Sequence, residues 1–198
     1  MKKNLLIAFL MTVVTTVLLG IIYPLVVTAL AQLFFKDKAN GQLIVKNGQV
    51  VGSRIIGQAF TGPAYFHSRP SNAGSGYDAA NSNGSQLGPT NHALIDRVKA
   101  DVATNQTDNP GQPVPIDLVT SSASGLDPDI TPAAAEFQIL RVAKERGAAR
   151  EQLEQLIAKH TQGRQLGFLG EPRVNVLELN LELDQRFPMR KQAAAIPQ

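Results

Sequence analysis

The sequence of 198 residues contains no cysteine, and histidine is scarce. Without cysteine the chain can carry neither a disulfide framework nor a lipid anchor attached to a cysteine thiol. The three histidines, His67, His92 and His160, lie far apart and lack the paired spacing that is typical of zinc sites. We therefore expect no metal site in this chain.

Familiar catalytic motifs are missing as well. The sequence has neither the G-x-x-x-x-G-K-[ST] loop of P-loop proteins nor the G-x-S-x-G turn of α/β-hydrolases. The Gly-Ser-Gly triplet at residues 74–76 lacks the third glycine of a dinucleotide-binding fingerprint. Asp127 and Asp129 flank a proline ahead of a predicted helix. We interpret them as turn residues that complement the helix dipole, the alternative being a pair for acid-base chemistry. We expect no catalytic residue and a chain that is not itself an enzyme.

Nucleic-acid binding is not indicated, although the formal net charge is +3. Four of the 19 basic residues, Lys2, Lys3, Lys36 and Lys38, flank a long apolar stretch, where only one of the 16 acidic residues lies. Beyond these flanks basic and acidic residues occur in equal number. The clustered basic face that a nucleic-acid-binding protein needs is not visible.

The apolar stretch runs from Asn4 to Phe35 without a charge. A helix of roughly 20 apolar residues crosses a bilayer, so this stretch is long enough to span one. The alternative is a cleaved signal peptide, but the apolar core from Leu5 to Thr28 exceeds the roughly 7–15 residues of a signal core. We predict a transmembrane anchor over residues 1–36, a domain over residues 37–187 and a mobile tail over residues 188–198.

Lysines flank both ends of this stretch, so they bias its orientation only slightly. A short basic N-terminal flank usually remains inside the cell. We therefore predict a single-pass protein with a cytoplasmic N-terminus and a domain outside the cytoplasm.

Small side chains recur every four residues along the predicted membrane helix, at Ala8, Thr12, Thr16 and Gly20. Small residues let two helices approach closely in a membrane, and threonine can donate a hydrogen bond across the contact. We predict that this face packs against a partner helix, the alternative being a lone anchor with incidental small residues. Pro24 is expected to kink the helix near its outer end.

The remaining sequence mixes strand and helix patterns, which predicts an α+β extramembrane domain. An Asn-Gly pair at residues 47–48 between apolar runs indicates a hairpin over residues 43–51. Near the C-terminus leucine alternates with polar residues, which is typical of a half-buried strand. The other predicted strands cover residues 54–58 and the leucine-rich segment from Val174 to Asp184. The predicted helices are one from Thr90 or Asn91, one from Thr131 to Gly147, and one through Leu153, Leu156 and Ile157. In the helix from Thr131 to Gly147, the residues expected to face inward are Phe137, Leu140, Ile139 and Ala143.

Residues 61–90 show no periodicity and are rich in Ser, Asn, Gly and Pro. Loops of this length are usually functional or disordered, and the aromatic residues in this one indicate order. The candidate contacts for a partner or a nucleotide are Gln58, Tyr65, Phe66, Arg69 and Tyr77. The alternative is that these side chains only hold the loop to its own domain.

Several long blocks resemble the C subunit family of the Kdp potassium-transporting ATPase. They are residues 51–58 (Val-Gly-Ser-Arg-Ile-Ile-Gly-Gln), 60–71 (Phe-Thr-Gly-Pro-Ala-Tyr-Phe-His-Ser-Arg-Pro-Ser), 84–91 (Gly-Ser-Gln-Leu-Gly-Pro-Thr-Asn), 117–128 (Asp-Leu-Val-Thr-Ser-Ser-Ala-Ser-Gly-Leu-Asp-Pro) with 130–135, and 170–181 (Gly-Glu-Pro-Arg-Val-Asn-Val-Leu-Glu-Leu-Asn-Leu). The resemblance covers nearly the whole chain. One departure is Asn83, where the family pattern has glycine, and it concerns only the local turn because Asn also tolerates positive φ.

The resemblance implies a subunit of a high-affinity potassium uptake pump in the bacterial inner membrane. Its partners would be the lipid bilayer, a channel-like subunit that binds potassium, and a P-type subunit that hydrolyses ATP. The C subunit would aid assembly and raise the ATP affinity of the P-type subunit, as a catalytic chaperone. It would bind no cofactor tightly, with ATP encountered only through the complex.

Two other classes remain open from the residues alone. One is a membrane-anchored exported hydrolase that uses the serine-rich loops, for which no motif is present. The other is a membrane-anchored ligand-binding or sensor module whose site is the Gly/Asn/Ser-rich loop. A sensor would be stable alone, whereas a subunit would co-purify with partners.

Overall fold

The computed structural model describes residues 1–189 and contains two compact units, Met1–Ser53 and a larger unit that begins at Arg54. The predicted domain boundary near residue 36 stays a prediction. The predicted tail over residues 188–198 lies outside the described residues from residue 190 onward.

A long N-terminal helical segment dominates the first unit. It consists of α1 (Lys2–Thr15), a π-helical segment (Thr16–Ile22) and α2 (Tyr23–Phe34). Together they form 33 continuous residues, and an 18-residue window within them has a mean hydropathy of 2.7. The segment is therefore long and apolar enough to cross a membrane, as the sequence predicts.

The π-helical segment ends at Ile22, two residues before Pro24. Proline has no N–H to donate, and its ring would clash with the carbonyl four residues earlier, which is that of Gly20. A π-helical turn is wider and relieves such a clash. Its i to i−5 hydrogen-bond pattern is seen where Tyr23 N donates to Leu18 O. The distortion expected at Pro24 thus takes the form of a π-helical segment on its N-terminal side.

The first unit continues with α3 (Lys36–Ala39) and the antiparallel hairpin of β1 (Leu43–Lys46) and β2 (Gln49–Ser53). Asn47 and Gly48 form its turn with φ of 53° and 79°, the left-handed values that a type I′ turn requires. The predicted hairpin is confirmed.

The strand predicted over residues 54–58 is wrong. The chain instead turns after β2, and Gly57 N donates to Leu126 O over 2.8 Å. A Cβ on Gly57 would lie 2.5 Å from Asp127 O, so this segment is held by close backbone contact rather than by a strand ladder.

The second unit is an α+β domain with a small antiparallel sheet. Its strands β3 (Asp129–Ile130), β4 (Thr161–Gln162) and β5 (Arg173–Asn175) are ordered β3-β5-β4. Its helices are α4 (His92–Asp108), α5 (Pro132–Phe137), α6 (Ile139–Arg146), α7 (Arg150–His160) and α8 (Val176–Arg186). The core includes Phe66, Ile130, Phe137, Ile139, Val142, Leu153, Leu156, Ile157, Val174, Leu179 and Leu183.

Helix ends were predicted well where a single side chain sets them. Asn91 caps α4 by accepting from Ala93 N, and Thr131 caps α5 by accepting from Ala134 N. Gly147 ends α6 with a φ of 64°.

The prediction that Leu140 faces inward is wrong, since Leu140 is 45% exposed. The predicted helix is interrupted at Gln138, and this interruption shifts the inward face of α6.

The leucine-rich strand predicted from Val174 to Asp184 is also wrong. Only β5 is extended, and α8 follows it directly. The residues that α8 buries fully recur at helical spacing: Val176, Leu179, Asn180 and Leu183. The same segment therefore fits an amphipathic helix as well as the alternation of a strand. The N-terminal cap of α8 is Asn175, whose side chain accepts from Glu178 N over 3.1 Å.

A cluster of charges joins α7 to α8 around Glu182. Its carboxylate lies 2.7 Å from Lys159 Nζ, 2.6 Å from His160 Nε2 and 2.6 Å from Arg186 Nη2. The hydrogen bond from Lys159, followed by that from His160, lowers the pKa of Glu182 from 4.5 to about 2.

We expect the Glu182→Gln variant to have a lower free energy of unfolding than the wild type at neutral pH. A carboxyl whose pKa is lowered by folding stabilises the protein above its unfolded value and loses this effect as the pH falls through its folded value. The difference between the two proteins should therefore shrink between pH 4.5 and about 2. Urea unfolding of the detergent-solubilised chain across this range is the measurement, and a constant difference would contradict it.

Candidate functional site

The long loop predicted over residues 61–90 extends in the structure over residues 54–91, and hydrogen bonds to the segment over residues 120–127 order it. Ser71 Oγ donates to Gly125 O over 2.6 Å, and Asn83 N donates to Ser124 O over 3.0 Å. Gly125 has a φ of 69°, and a Cβ there would lie 2.6 Å from Asn83 O. The two segments therefore interlock at a backbone distance that only glycine allows.

Two buried amide side chains hold the loop against the helices in the manner of a β-ladder. Phe66 N donates to Asn180 Oδ1, and Asn180 Nδ2 donates to Phe66 O, each over 2.9 Å. The next residue repeats the pattern, since His67 N donates to Gln138 Oε1 over 2.7 Å and Gln138 Nε2 donates to His67 O over 3.1 Å. We call Asn180 and Gln138 the amide clamps.

Two arginines of α6 bind the backbone that precedes the clamped residues. Arg141 donates to Tyr65 O over 2.8 Å, and its Nε lies 2.8 Å from Asp108. Arg146 donates to Ala64 O over 2.8 Å, and its side chain has no solvent exposure. The guanidinium of Arg146 also lies 4.6 Å from the ring centroid of Tyr65, in a cation–π contact.

The candidate residues of the loop fall into two groups. Phe66 is fully buried in the core, while Tyr65 packs 5.5 Å from the Phe60 ring and its hydroxyl lies 3.3 Å from Asp184 Oδ2. Burial, reinforced by the positive charge of Arg141, lowers the pKa of the neighbouring His67. This first group lies against α6 and α8.

The second group lies against residues 120–127. Arg69 donates to Thr120 O and to Thr120 Oγ1, each over 3.2 Å, and pairs with Asp127 over 3.1 Å. The hydroxyl of Tyr77 donates to Arg69 O, and burial raises its pKa. Gln58 is half-buried and directly follows Gly57, whose N–H donates to Leu126 O. Any contact of these residues with a partner or a nucleotide stays a prediction.

A charged cleft of about 270 Å³ opens beside the second group. Its walls include Arg69, Asp127, Asp129 and Arg173, and these charges form ion pairs at 3.1 Å and 3.3 Å. Asp127 Oδ1 accepts from Asp129 N, the local bond expected of a turn aspartate, but the turn predicted for Asp129 is wrong, because Asp129 lies in β3. Burial raises the pKa of Asp129, against the opposing effect of Arg173.

Sequence reasoning named the loop residues but missed the side chains that position them. Those are Asn180, Gln138, Arg141 and Arg146. The available signal was polar residues within apolar helical stripes, such as Asn180 between Leu179 and Leu183. Such residues are buried only when their hydrogen bonds are satisfied, so they indicate a specific internal partner.

The predicted stripe of small residues lies on the exposed surface of the N-terminal helical segment. Thr12 Oγ1 donates to Ala8 O within the helix over 2.9 Å. A Cβ on Gly20 would meet only Thr16 Cγ2, at 3.8 Å. Within residues 1–189, no group of three or more His, Cys, Asp or Glu side chains is placed to hold a metal ion.

Comparison with known proteins gives one consistent result. The family described as the K+-transporting ATPase, c chain, matches residues 5–185. The chain is similar to proteins named potassium-transporting ATPase KdpC subunit, one from Koribacter versatilis being 69% identical over 96% of this chain and 98% of the relative. Relatives from Acidobacterium capsulatum and Rhodospirillum rubrum are 58% and 56% identical over 90% and 88% of this chain, and 96% and 91% of their own lengths. The chain thus belongs to the KdpC family, the c chains of K+-transporting ATPases.

Proposed function

We propose that the chain is a non-catalytic accessory subunit of an ATP-driven potassium uptake pump in the bacterial cell membrane. It aids assembly of the complex and raises the ATP affinity of the ATP-hydrolysing P-type subunit, while a channel-like subunit binds potassium. Support for the complex comes from the relatives, which are named subunits of a potassium-transporting ATPase.

One observation favours an accessory role over a reactive one. Several charged and polar side chains of the long loop are engaged in internal hydrogen bonds, as with Arg69 to Thr120 and Asp127, and Ser71 to Gly125. A nucleophile or base needs a group directed at a substrate, whereas a docking surface needs a fixed shape. The loop therefore suits recognition of a partner.

The chaperone role is tested by purifying the pump with and without the chain and measuring ATP hydrolysis. We expect a lower apparent KM for ATP when the chain is present, and recovery of that value when it is added back. An unchanged KM would contradict the chaperone role and leave only a role in assembly.

We further propose that the N-terminus is cytoplasmic and that the domain predicted over residues 37–187 lies outside the cytoplasm. This can be tested because the chain has no cysteine. Lys46→Cys and Glu151→Cys, both at exposed positions, should react with a membrane-impermeant thiol reagent in intact cells. Labelling only after lysis would reverse the orientation.

The face formed by Ala8, Thr12, Thr16 and Gly20 is proposed to pack against a membrane subunit. Gly20→Leu should lower recovery of the assembled complex, because a larger side chain would separate the two helices. Within the chain itself the new side chain has room, since a Cβ at this position would have only Thr16 Cγ2 within 4 Å. Val14→Leu, at a position that is 58% exposed, is the matched control, and equal recovery of both would refute this packing.

The charged cleft beside Arg69 supports a second candidate, a membrane-anchored ligand-binding or sensor module. The two functions differ in what the chain needs to be stable. A sensor would be recovered alone after mild detergent extraction, whereas an accessory subunit would be recovered with its partners.

A further inference from the structure

A short apolar protrusion connects β4 to β5. We call residues 163–170 the apolar finger, and three of its side chains face solvent: Leu166 is 83% exposed, Phe168 69% and Leu169 48%. Single exposed apolar residues are ordinary, but a contiguous group on a small domain marks an interaction surface.

The apolar finger is a preformed turn. Gln165 N donates to Leu169 O, and Leu169 N donates to Gln165 O, each over 2.9 Å. Phe168 N also donates to Gln165 O over 3.2 Å. Because these bonds fix the backbone, the apolar side chains need little ordering when they enter a binding site.

The backbone at the tip makes leucine an unfavourable residue there. Leu166 has a φ of 52°, and the following Gly167 has a φ of 81°. Glycine or asparagine adopts this left-handed conformation readily, whereas a bulky side chain rarely does. A leucine in this conformation indicates that its side chain is needed for a contact, since the turn itself favours glycine.

The charges at the base of the apolar finger favour a protein partner over a lipid surface. Arg164 is paired with Glu171 over 2.7 Å, and Arg173 with Asp129 over 3.3 Å. Loops that bind anionic lipids combine apolar tips with unpaired basic residues, and they often carry Trp or Tyr at the interface. The base is electrically neutral, and residues 163–170 contain neither Trp nor Tyr.

We propose that the apolar finger inserts into an apolar hollow on another protein subunit of the potassium-transporting complex, with Leu166 and Phe168 as its anchors. This inference rests on the proposed function. A few buried side chains that fill a pocket supply most of the binding free energy of an interface, which is the role assigned here to Leu166 and Phe168.

The test is photo-crosslinking in the assembled complex, with a benzophenone amino acid replacing Phe168 in the full chain. The expected result is an adduct with another subunit. The same substitution at Ile116, which is also 69% exposed, is the matched control and should give no such adduct. Adducts only with lipid, or none, in a complex that forms normally would overturn the inference and leave the proposed function standing. Failure of the wild-type chain to co-purify with its partners would overturn both.

Leu166→Gly provides a second measurement, and a misfolded variant would not give the result that we expect from it. Glycine suits the left-handed φ at this position, so the melting temperature should stay the same or rise. Affinity for the partner subunits should nevertheless fall by about tenfold, because one anchor is lost. An unchanged affinity would refute the role of Leu166.

Discussion

Asn180→Leu should lower the free energy of unfolding of the second unit by about 4 kcal/mol. Leucine keeps the branched shape of asparagine at a larger volume, so the loss combines the hydrogen bonds of one amide clamp with a smaller packing cost. Asn180 is 1% exposed and Phe66 is not exposed at all, so water cannot replace the lost partner. The N–H and C=O of Phe66 would both be left buried and unpaired, at about 1–3 kcal/mol each.

Gln185→Leu is the matched control for this variant. It removes an amide from the same helix, α8, at an exposed position. Its effect should stay within about 0.5 kcal/mol, as for most surface substitutions. Urea unfolding of both full-length variants in detergent is the measurement. If Asn180→Leu were as stable as Gln185→Leu, the amide clamp would contribute nothing to holding the loop.

Arg146→Met should lower the free energy of unfolding by about 3 kcal/mol, or about 10 °C in Tm for a domain of this size. Arg146 donates to Ala64 O and to Phe187 O, over 2.8 Å and 3.0 Å. Its Nη2 also lies 2.8 Å from Asp184 Oδ1, as an ion pair without the alignment of a hydrogen bond. Methionine keeps much of the packing but leaves both carbonyls without their donor.

Lys144→Met serves as the comparison for Arg146→Met, since Lys144 is exposed on the same helix and also loses one positive charge. Its Tm should change little. Arg146→Lys should recover only part of the loss, because an ammonium group cannot reproduce the planar contact with Tyr65. Full recovery by lysine would show that charge alone, rather than guanidinium geometry, holds the loop.

The parts of the fold that depend on neighbouring residues could be predicted from the sequence. The Asn47-Gly48 turn and the ends of helices at Asn91, Thr131 and Gly147 are set by one or two residues each. Such signals act over a few residues, so tertiary contacts rarely override them.

The prediction of a strand in place of α8 failed because the same residues fit both the two-residue period of a strand and the period of a helix. The leucines of α8 alternate as in a strand, and yet Val176, Leu179 and Leu183 form a buried helical stripe. The capping residue Asn175, three positions before Glu178, would have favoured the helix. Leu140 was misplaced because the interruption at Gln138 has no local signal.

The candidate site was predictable only in part. Composition identifies the long loop as ordered, and its aromatics and Arg69 are visible in the sequence. Its partners are not, since Phe66 and Asn180 are separated by 114 residues and His67 and Gln138 by 71. Pairings over such distances arise from the assembled core rather than from local pattern.

The amide clamps also fix an order of events during biosynthesis. Residues 61–91 leave the ribosome well before Asn180, the residue that pairs with Phe66 and lies 114 positions later. At about 5–20 residues per second, this interval lasts roughly 6–23 s. Throughout it Phe66 lacks both hydrogen bonds of Asn180 and the part of its core that α8 supplies, because α8 does not yet exist. The Asn180 clamp therefore closes on the nascent loop only after α8, the last helix of the described residues, has been made.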